Sequence, residues 1–249
     1  MATYYWVAGT GTWDAATTTH WATSSGGSGG AGVPTATDDV IFNSASSAAA
    51  YTVTIGTGAL ANNVTMGQPA SGTLALAGTT GTLTVSGSWS NTNTINGFQG
   101  TITFNSSNPG NTINHNGTNY FGCQYVFNGT GSWTLLSNSA CTNPLKSLLI
   151  TQGSLYLNNF WLGGYTITST TTNTRFIDFG TSGYIYWVCS NFTNLFCTWN
   201  FTNLTIAGTP KLTYFSSATG VGTNQLTFSN VSESNAFSLD FSGTTTTST

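Results

Sequence analysis

The feature that most limits the fold of this 249-residue chain is a set of short apolar–polar alternations that recurs along it. One series of strand-like segments comprises Leu83–Val85, Ile102–Phe104, Tyr125–Phe127, Leu148–Ile150, Phe176–Asp178, Leu204–Ile206 and Leu226–Phe228. A second series follows each of these after a few residues, around Trp89, Ile113, Trp133, Leu155, Ile185, Leu212 and Phe237. Successive members of either series lie about 19 to 30 residues apart, which is typical of solenoid repeats.

This pattern predicts an all-β chain folded as a parallel, right-handed β-solenoid. Within each segment the alternation places one side chain inside and the next outside. Val, Ile, Phe, Tyr, Trp and Thr suit strands, while Gly and Asn between segments supply the positive-φ corners of a coil. A β-sandwich or jelly roll, whose strands also recur about every 8–12 residues, is the alternative. The solenoid is favoured because stacking of equivalent positions explains why like segments recur.

The scarcity of charge limits the function. The chain carries three Lys or Arg and six Asp or Glu, so 4 % of its residues are charged, against about one quarter in average domains. Most reaction mechanisms use groups that gain, lose or hold a charge, so binding or architecture is expected rather than catalysis, with no cofactor. A net charge of −3 offers phosphates no basic surface, and we expect no nucleic-acid partner. The sequence contains no stretch of about 18 apolar residues, so we expect no insertion into a membrane.

The chain divides into three zones. Residues 1–45 form a Trp- and Gly-rich opening, residues 46–241 hold the alternating segments, and residues 242–249 are a low-complexity linker or truncated tail. Lys and Glu, which usually protect strand edges, are scarce in the middle zone. We therefore expect copies of the chain to cover one another's flanks in a homo-oligomer.

The opening zone carries a motif-like order of residues. It contains Tyr5-Trp6, Gly9, Gly11, Trp13-Asp14, His20-Trp21, Pro34 and Asp38-Asp39-Val40-Ile41-Phe42. This order resembles the W-x-G-x-G-x-W…W…P…D-x-V-x-F segment that precedes many β-solenoids in bacteriophage tail-fibre, spike and other virion-surface proteins, and in bacterial autotransporter passengers and adhesins. The resemblance ends at Phe42, and His20 stands where Asn is commoner.

The opening segment makes physical sense as a cap. Trp6, Trp13 and Trp21 are expected to cover the open end of the coil, with Asp38 ordering the loop and the strand ending at Phe42 as the first of the solenoid.

The resemblance implies a structural and adhesive role at a virion surface, as a tail fibre, spike or capsid-decorating appendage. By analogy with such fibres, the chain would be a homotrimer that contacts other virion proteins and host-surface carbohydrate. The opening residues lack the basic and apolar regions of a signal peptide, which favours assembly in the host cytoplasm over the alternative, an exported bacterial adhesin or sheath protein. A polysaccharide-degrading solenoid is the third alternative.

The acidic residues give little sign of a catalytic or metal site. Asp38 and Asp39 are adjacent, so on a strand they face opposite sides. Asp178, Glu233 and Asp240 are spread through the middle zone; Asp178 and Asp240 stand in similar apolar contexts and could share one face. A calcium site needs about six oxygen ligands, usually several of them in one loop, and the sequence lacks such a loop. We expect no metal and no catalytic residue.

Aromatic residues are the stronger candidates for contact with a subunit or a glycan. In the segment Tyr184-Ile185-Tyr186-Trp187, alternation places Tyr184 and Tyr186 on one face and Ile185 and Trp187 on the other. Trp161 and Trp199 lie in neighbouring segments. Aromatic residues are enriched at protein interfaces and also suit the apolar faces of sugar rings. Packing in the core is the plainer alternative for each of them.

The four cysteines, Cys123, Cys141, Cys189 and Cys197, follow no zinc-binding spacing. We expect buried thiols, with a Cys189–Cys197 disulfide as the alternative.

Overall fold

The structure, a computed structural model, describes residues 1–92, 97–115, 119–141, 146–189, 196–216, 225–230 and 238–240. Within these ranges the chain forms 27 strands, numbered β1 to β27 in chain order, and no helix. The strands stack in parallel into coils. The predicted all-β class and parallel β-solenoid are therefore confirmed, and the sandwich alternative is wrong.

The strands form four sheets, which we name A to D. Sheet A contains β1 (Thr3–Trp6), β3 (Trp21–Ala22), β4 (Asp39–Phe42), β7 (Val64–Met66), β10 (Trp89–Asn91), β12 (Asn111–Asn114), β15 (Ser132–Leu135), β18 (Gly153–Tyr156), β21 (Arg175–Asp178) and β24 (Leu204–Ala207). Sheet B contains β2 (Gly11–Trp13), β5 (Tyr51–Ile55) and β8 (Leu74–Ala77).

The other two sheets hold the remaining strands. Sheet C contains β6 (Ala59–Ala61), β9 (Thr82–Val85), β11 (Thr101–Phe104), β14 (Gln124–Phe127), β17 (Ser147–Ile150), β20 (Thr166–Ser169), β23 (Phe196–Asn200) and β26 (Gln225–Ser229). Sheet D contains β13 (Asn119–Phe121), β16 (Ser139–Cys141), β19 (Trp161–Gly164), β22 (Tyr184–Cys189), β25 (Lys211–Ser216) and β27 (Ser238–Asp240).

A typical coil gives one strand to sheet A, the next to sheet B or D, and the third to sheet C. The runs β4-β5-β6 and β15-β16-β17 follow this order. Among the described strands, every pairing is parallel except that of β1 with β3. The coil is therefore three-sided, and each side is a ladder of strands from successive coils.

The two repeat series of the sequence analysis match these sides only in part. The first four members of the first series lie in sheet C, but Phe176–Asp178 and Leu204–Ile206 lie in sheet A. The second series moves from sheet A to sheet D after Leu155. The reason is that each coil has three strands rather than two. The sheet D strands around Ala140 and Gly163 are too weakly patterned to be recognised from sequence.

The interior is a continuous apolar spine. Most strands alternate buried and partly exposed residues, so one face of each strand points inward. Residues in register across coils stack on one another: the rings of Phe104 and Phe127 lie 5.1 Å apart and nearly parallel. Burial of these columns supplies the main driving force for folding, at about 25 cal/mol per Å² of apolar surface.

Polar side chains connect successive coils at the corners. Asp39 Oδ1 accepts hydrogen bonds from the side chains of Asn62 and Asn63, both at 2.8 Å. Asn63 Oδ1 accepts from Ser88 N at 2.7 Å, and Ser88 Oγ accepts from Thr112 N at 3.0 Å. Each link joins residues about one coil apart, so a carboxylate, amides and hydroxyls connect successive coils.

The stack begins inside the opening zone. β1 pairs in parallel with β4 and antiparallel with β3, which is the terminal strand of sheet A. The prediction that the strand ending at Phe42 is the first of the solenoid is therefore wrong, because Thr3–Trp6 precedes it in the stack. The predicted tail, residues 242–249, lies outside the described residues.

Candidate functional site

Three of the four aromatic residues predicted as contacts lie together on the outer face of sheet D. Trp161 on β19 is in register with Tyr184 on β22, and Tyr186 follows two residues later on the same face. The ring centroid of Trp161 lies 6.5 Å from that of Tyr184 and 5.7 Å from that of Tyr186. All three side chains are partly exposed. We call Trp161, Tyr184 and Tyr186 the aromatic patch.

The patch is closely packed against the sheet beneath it. Gly163 lies below the rings: a Cβ there would be 3.3 Å from Trp161 Cζ3 and from Tyr186 Cδ1. Trp161 N donates to Asn138 Oδ1 at 3.0 Å, which fixes the start of β19 to the preceding coil. Lys211 Nζ lies 5.8 Å from the Tyr184 ring centroid, within the range of a cation–π contact. The patch is thus an ordered surface with one cation at its margin.

The fourth predicted residue, Trp199, is not on the surface. Its side chain is 0 % exposed, and its Nε1 donates to Cys197 Sγ at 3.2 Å. A buried ring has no face to offer to a glycan or a second subunit, so the prediction is wrong for Trp199. On β22 the predicted alternation is correct, because Ile185 and Trp187 are buried in the core while the two tyrosines face outward.

The aromatic residues of the opening zone form a buried cluster at the β3 end of sheet A. Trp6, Trp13, Trp21 and Phe42 are all 0 % exposed. Trp21 makes edge-to-face contacts with Trp6 at 4.9 Å and with Trp13 at 5.4 Å. The His20 ring stacks on Trp6 at 4.8 Å. These residues therefore close the first coil from within; they are packing residues rather than a surface site. We call Trp6, Trp13, Trp21 and Phe42 the tryptophan cluster.

Asp38 fastens the first residues of the chain. Its Oδ1 accepts from Ala2 N at 2.8 Å, and its Oδ2 accepts from Thr35 Oγ1 at 2.6 Å and Thr35 N at 3.1 Å. Hydrogen bonds from Thr35 and Ala2 keep the pKa of the Asp38 carboxyl below its usual value. Asp39 bonds a different set of partners, Asn62 and Asn63. The two adjacent acids therefore do not form one site.

The remaining acidic candidates are also separated. Asp178 lies in sheet A, where its Oδ1 accepts from Gly180 N at 2.8 Å, whereas Asp240 lies on β27 of sheet D. The prediction that they could share a face is therefore wrong. Glu233 lies outside the described residues. Among the described residues, no group of three or more His, Cys, Asp or Glu side chains could hold a metal ion.

The two cysteines whose side chains are described are buried thiols. Cys123 and Cys197 are both 0 % exposed and form no disulfide. The alternative of a Cys189–Cys197 disulfide is therefore wrong.

His115 is a buried structural residue that the sequence analysis left without a role. Trp89 Nε1 donates to His115 Nδ1 at 3.2 Å, and the backbone N of His115 donates to Ser137 Oγ at 2.6 Å. Complete burial lowers the pKa of the imidazole to about 3, because the charged form would lose its hydration. The ring is therefore neutral at neutral pH.

Arg175 is the most unusual residue of the interior. Its side chain is 0 % exposed. Nη1 donates to Ser169 O at 2.7 Å and to Ser169 Oγ at 2.6 Å, and Nε donates to Asn173 O at 3.1 Å. Nη2 donates to Asn200 O at 2.8 Å and Thr202 O at 2.6 Å. Desolvation lowers the pKa of the guanidinium. Sequence reasoning missed this role, since nothing in the pattern marks position 175 as inward.

Comparison with known proteins gives no family model, no curated protein and no solved structure that matches the chain. In the described ranges, no helix has the length and hydropathy needed to cross a bilayer.

Proposed function

We propose that this chain is a non-catalytic structural and adhesive protein of a bacteriophage surface, and that its copies associate through the aromatic patch. The observation that carries the proposal is the outward cluster of Trp161, Tyr184 and Tyr186 on a rigid, nearly uncharged solenoid. Trp and Tyr are enriched in interface cores because they bury large areas while losing little conformational freedom.

A second copy of the chain is the partner that suits the patch best. The outer face of sheet D is formed by extended strands, and small Gly163 lets the rings lie close to the backbone. With a net charge of −3 on 249 residues, repulsion between copies is weak. Lys211 is the one described Lys or Arg at the patch. An interface with a strongly charged partner would need more charged groups than this.

The fold supports a mechanical role. Continuous inward columns run along the coils, and the Asp39–Asn63–Ser88 links join three successive coils, so a force along the axis is shared by many contacts. Outward Thr, Ser and Asn present hydroxyls and amides to solvent. The virion placement itself is supported by the resemblance of residues up to Phe42 to the opening segments of phage fibre and spike solenoids. The expected trimer rests on the same resemblance.

Light scattering on the purified chain tests the association. We expect a mass that is a multiple of 26.0 kDa, and a shift toward the monomer in Trp161→Ala and Tyr186→Ala. Phe176→Ala is the matched control, because Phe176 is also partly exposed and outward but lies on sheet A. A wild-type mass of 26.0 kDa at all concentrations, or equal effects of patch and control variants, would overturn the proposal.

Mass spectrometry of particles purified from the source tests the virion placement. We expect peptides of this chain in constant ratio to the other particle proteins. Its absence from particles, or its recovery from the bacterial cell surface alone, would contradict the placement and favour the exported adhesin.

A further inference from the structure

A groove lies at one corner of the solenoid, away from the aromatic patch. It is lined by Thr130, Gln152, Gly153, Ser154, Thr172, Asn173, Thr174 and Phe176. Most of these residues belong to connections that run from a sheet C strand to the next sheet A strand. Its volume of about 400 Å³ is in the range of small-molecule sites. We call it the corner groove.

One wall of the corner groove is the segment 170–174, which is held in a defined conformation. Thr171 Oγ1 donates to Thr151 O at 2.6 Å, and Asn203 Nδ2 donates to Thr172 O at 2.8 Å. The guanidinium of Arg175 holds the segment from beneath through Asn173 O. Contacts to the coils before and after it therefore fix the wall before any ligand arrives, which reduces the entropy lost on binding.

Gly153 keeps the floor of the groove low. Its φ of +87° lies in the region that favours glycine, and a Cβ there would overlap the carbonyl oxygen of Gly129. Gly153 N donates to Thr174 O at 3.0 Å, which joins the floor to the wall. The low floor of the groove thus follows from backbone contacts of Gly153.

The groove presents four side-chain hydroxyl groups. The side-chain hydroxyls of Thr130, Ser154, Thr172 and Thr174 form no hydrogen bond within the described part of the chain. Each can donate one hydrogen bond and accept up to two. Four such groups around one cavity match a ligand that itself carries several hydroxyls.

The groove also has an apolar wall and no charged side chain. Phe176 lines it, and the Tyr156 ring lies 5.5 Å from the Phe176 ring on the neighbouring strand. Asp, Glu, Lys and Arg are missing from its lining residues, and Arg175 points inward with its N–H groups directed at chain oxygens. A charged ligand would lose hydration there without gaining a counter-ion. An uncharged ligand with one apolar face would not lose hydration in this way.

We propose that the corner groove binds a neutral saccharide, with one sugar ring against Phe176 and its hydroxyls bonded to the threonine and serine side chains. A sugar ring has an apolar C–H face and a rim of hydroxyls, which is the combination that the groove offers. This proposal deepens the adhesive part of the proposed function and rests on it, but it places the glycan contact on the corner groove, whereas the sequence analysis placed it on the aromatic residues.

Saturation-transfer NMR on the full chain tests the proposal. The probes are glucose, galactose, mannose, N-acetylglucosamine, maltose, cellobiose and lactose, with glucuronic acid as the charged comparison. We expect saturable binding of at least one neutral sugar, weakened about tenfold by Phe176→Ala and about fivefold by Thr172→Val or Thr174→Val. Thr172 and Thr174 are exposed, so we expect their variants to fold. They therefore keep the proposal testable if Phe176→Ala does not fold.

Two controls separate this proposal from the proposed function. Thr65→Val removes an exposed hydroxyl of sheet A outside the groove and should leave sugar binding unchanged. Trp161→Ala should reduce self-association and leave sugar binding unchanged. Phe176→Ala should reduce sugar binding and leave self-association unchanged. The proposal is overturned if none of the neutral sugars binds, if glucuronic acid alone binds, or if binding survives in the Phe176, Thr172 and Thr174 variants.

Discussion

The tryptophan cluster and the aromatic patch are both built from aromatic residues, but the cluster is buried and the patch is partly exposed. In the cluster, Trp6, Trp13 and Trp21 are 0 % exposed and contact one another edge to face. In the patch, Trp161 stands with its two tyrosines on the outside of sheet D. The cluster lies at the β3 end of sheet A, whereas the patch lies on β19 and β22, two inner strands of sheet D.

The difference teaches that the face of the strand on which an aromatic residue stands decides what it does. In the tryptophan cluster, the rings face inward and cover one another, so none of them is exposed. On β22 the inward positions are filled by Ile185 and Trp187, and the rings of Tyr184 and Tyr186 on the other face remain partly exposed. Aromatic content alone therefore says little about function.

The largest expected effect is on stability, from the tryptophan cluster. Trp21→Ala removes a side chain that contacts Trp6, Trp13 and Phe42, and should lower the free energy of unfolding by about 3–5 kcal/mol. Trp161→Ala removes the same atoms from the patch and should lower it by less than about 1 kcal/mol. Denaturant unfolding measures both. Equal losses would show that the patch is part of the core.

A second pair of variants compares a buried cation, Arg175, with a cation on the outer face, Lys211. Arg175→Leu leaves the carbonyls of Ser169, Asn173, Asn200 and Thr202 without the guanidinium, and should lower the free energy of unfolding by about 3–5 kcal/mol. Lys211→Leu, on the outer face, should change it by no more than about 0.5 kcal/mol. Urea titration distinguishes them, and a small effect of Arg175→Leu would mean that water replaces the guanidinium.

The alternation of apolar and polar residues predicts which residues of one strand share a face. It does not predict how strands of different coils pair. Tyr184 and Tyr186 are separated correctly from Ile185 and Trp187 because a strand has a period of two. Trp199 was misplaced because its parity follows from the pairing of Trp199 with Ser169 across coils, which one sequence does not reveal. The corner groove was missed for a similar reason: its lining residues come from connections and strands of three successive coils, which one sequence does not bring together.

Acid should lower the free energy of unfolding through the buried side chain of His115. The pKa of buried His115 is lowered to about 3 from an ordinary value of about 6.5. Below pH 6.5 the unfolded chain therefore binds a proton that the folded chain does not, and the stability held above that pH is lost as the pH falls toward 3. The loss is about 1.4 kcal/mol per pH unit within this window.

Denaturant unfolding at a series of pH values measures this slope. His115→Gln keeps a side chain able to accept from Trp89 Nε1 but has no titrating ring, so it should flatten the curve between pH 6.5 and 3. Asp38 contributes a further loss below pH 3.8, since its pKa is lowered in the folded chain. A slope unchanged by His115→Gln would mean that another group carries the pH dependence.

Two adjacent glycines of β19 give a further test of the difference between the core and the outer face of sheet D. Gly164 faces the core, where a Cβ would lie 3.2 Å from Leu148 Cβ, so Gly164→Ala should lower the free energy of unfolding by about 1–3 kcal/mol. Gly163 faces the patch, where the new methyl group would press on the rings of Trp161 and Tyr186. These partly exposed rings can move, but the new Cβ would also lie 3.2 Å from the backbone oxygen of Tyr186, which must shift by a few tenths of an ångström. We therefore expect Gly163→Ala to lower the free energy of unfolding by about 1 kcal/mol. It should nevertheless weaken self-association in light scattering, because the rings can no longer lie against the backbone. Equal losses of stability in the two variants, or unchanged association in Gly163→Ala, would show that the outer face of sheet D is neither separate from the core nor shaped for a second copy.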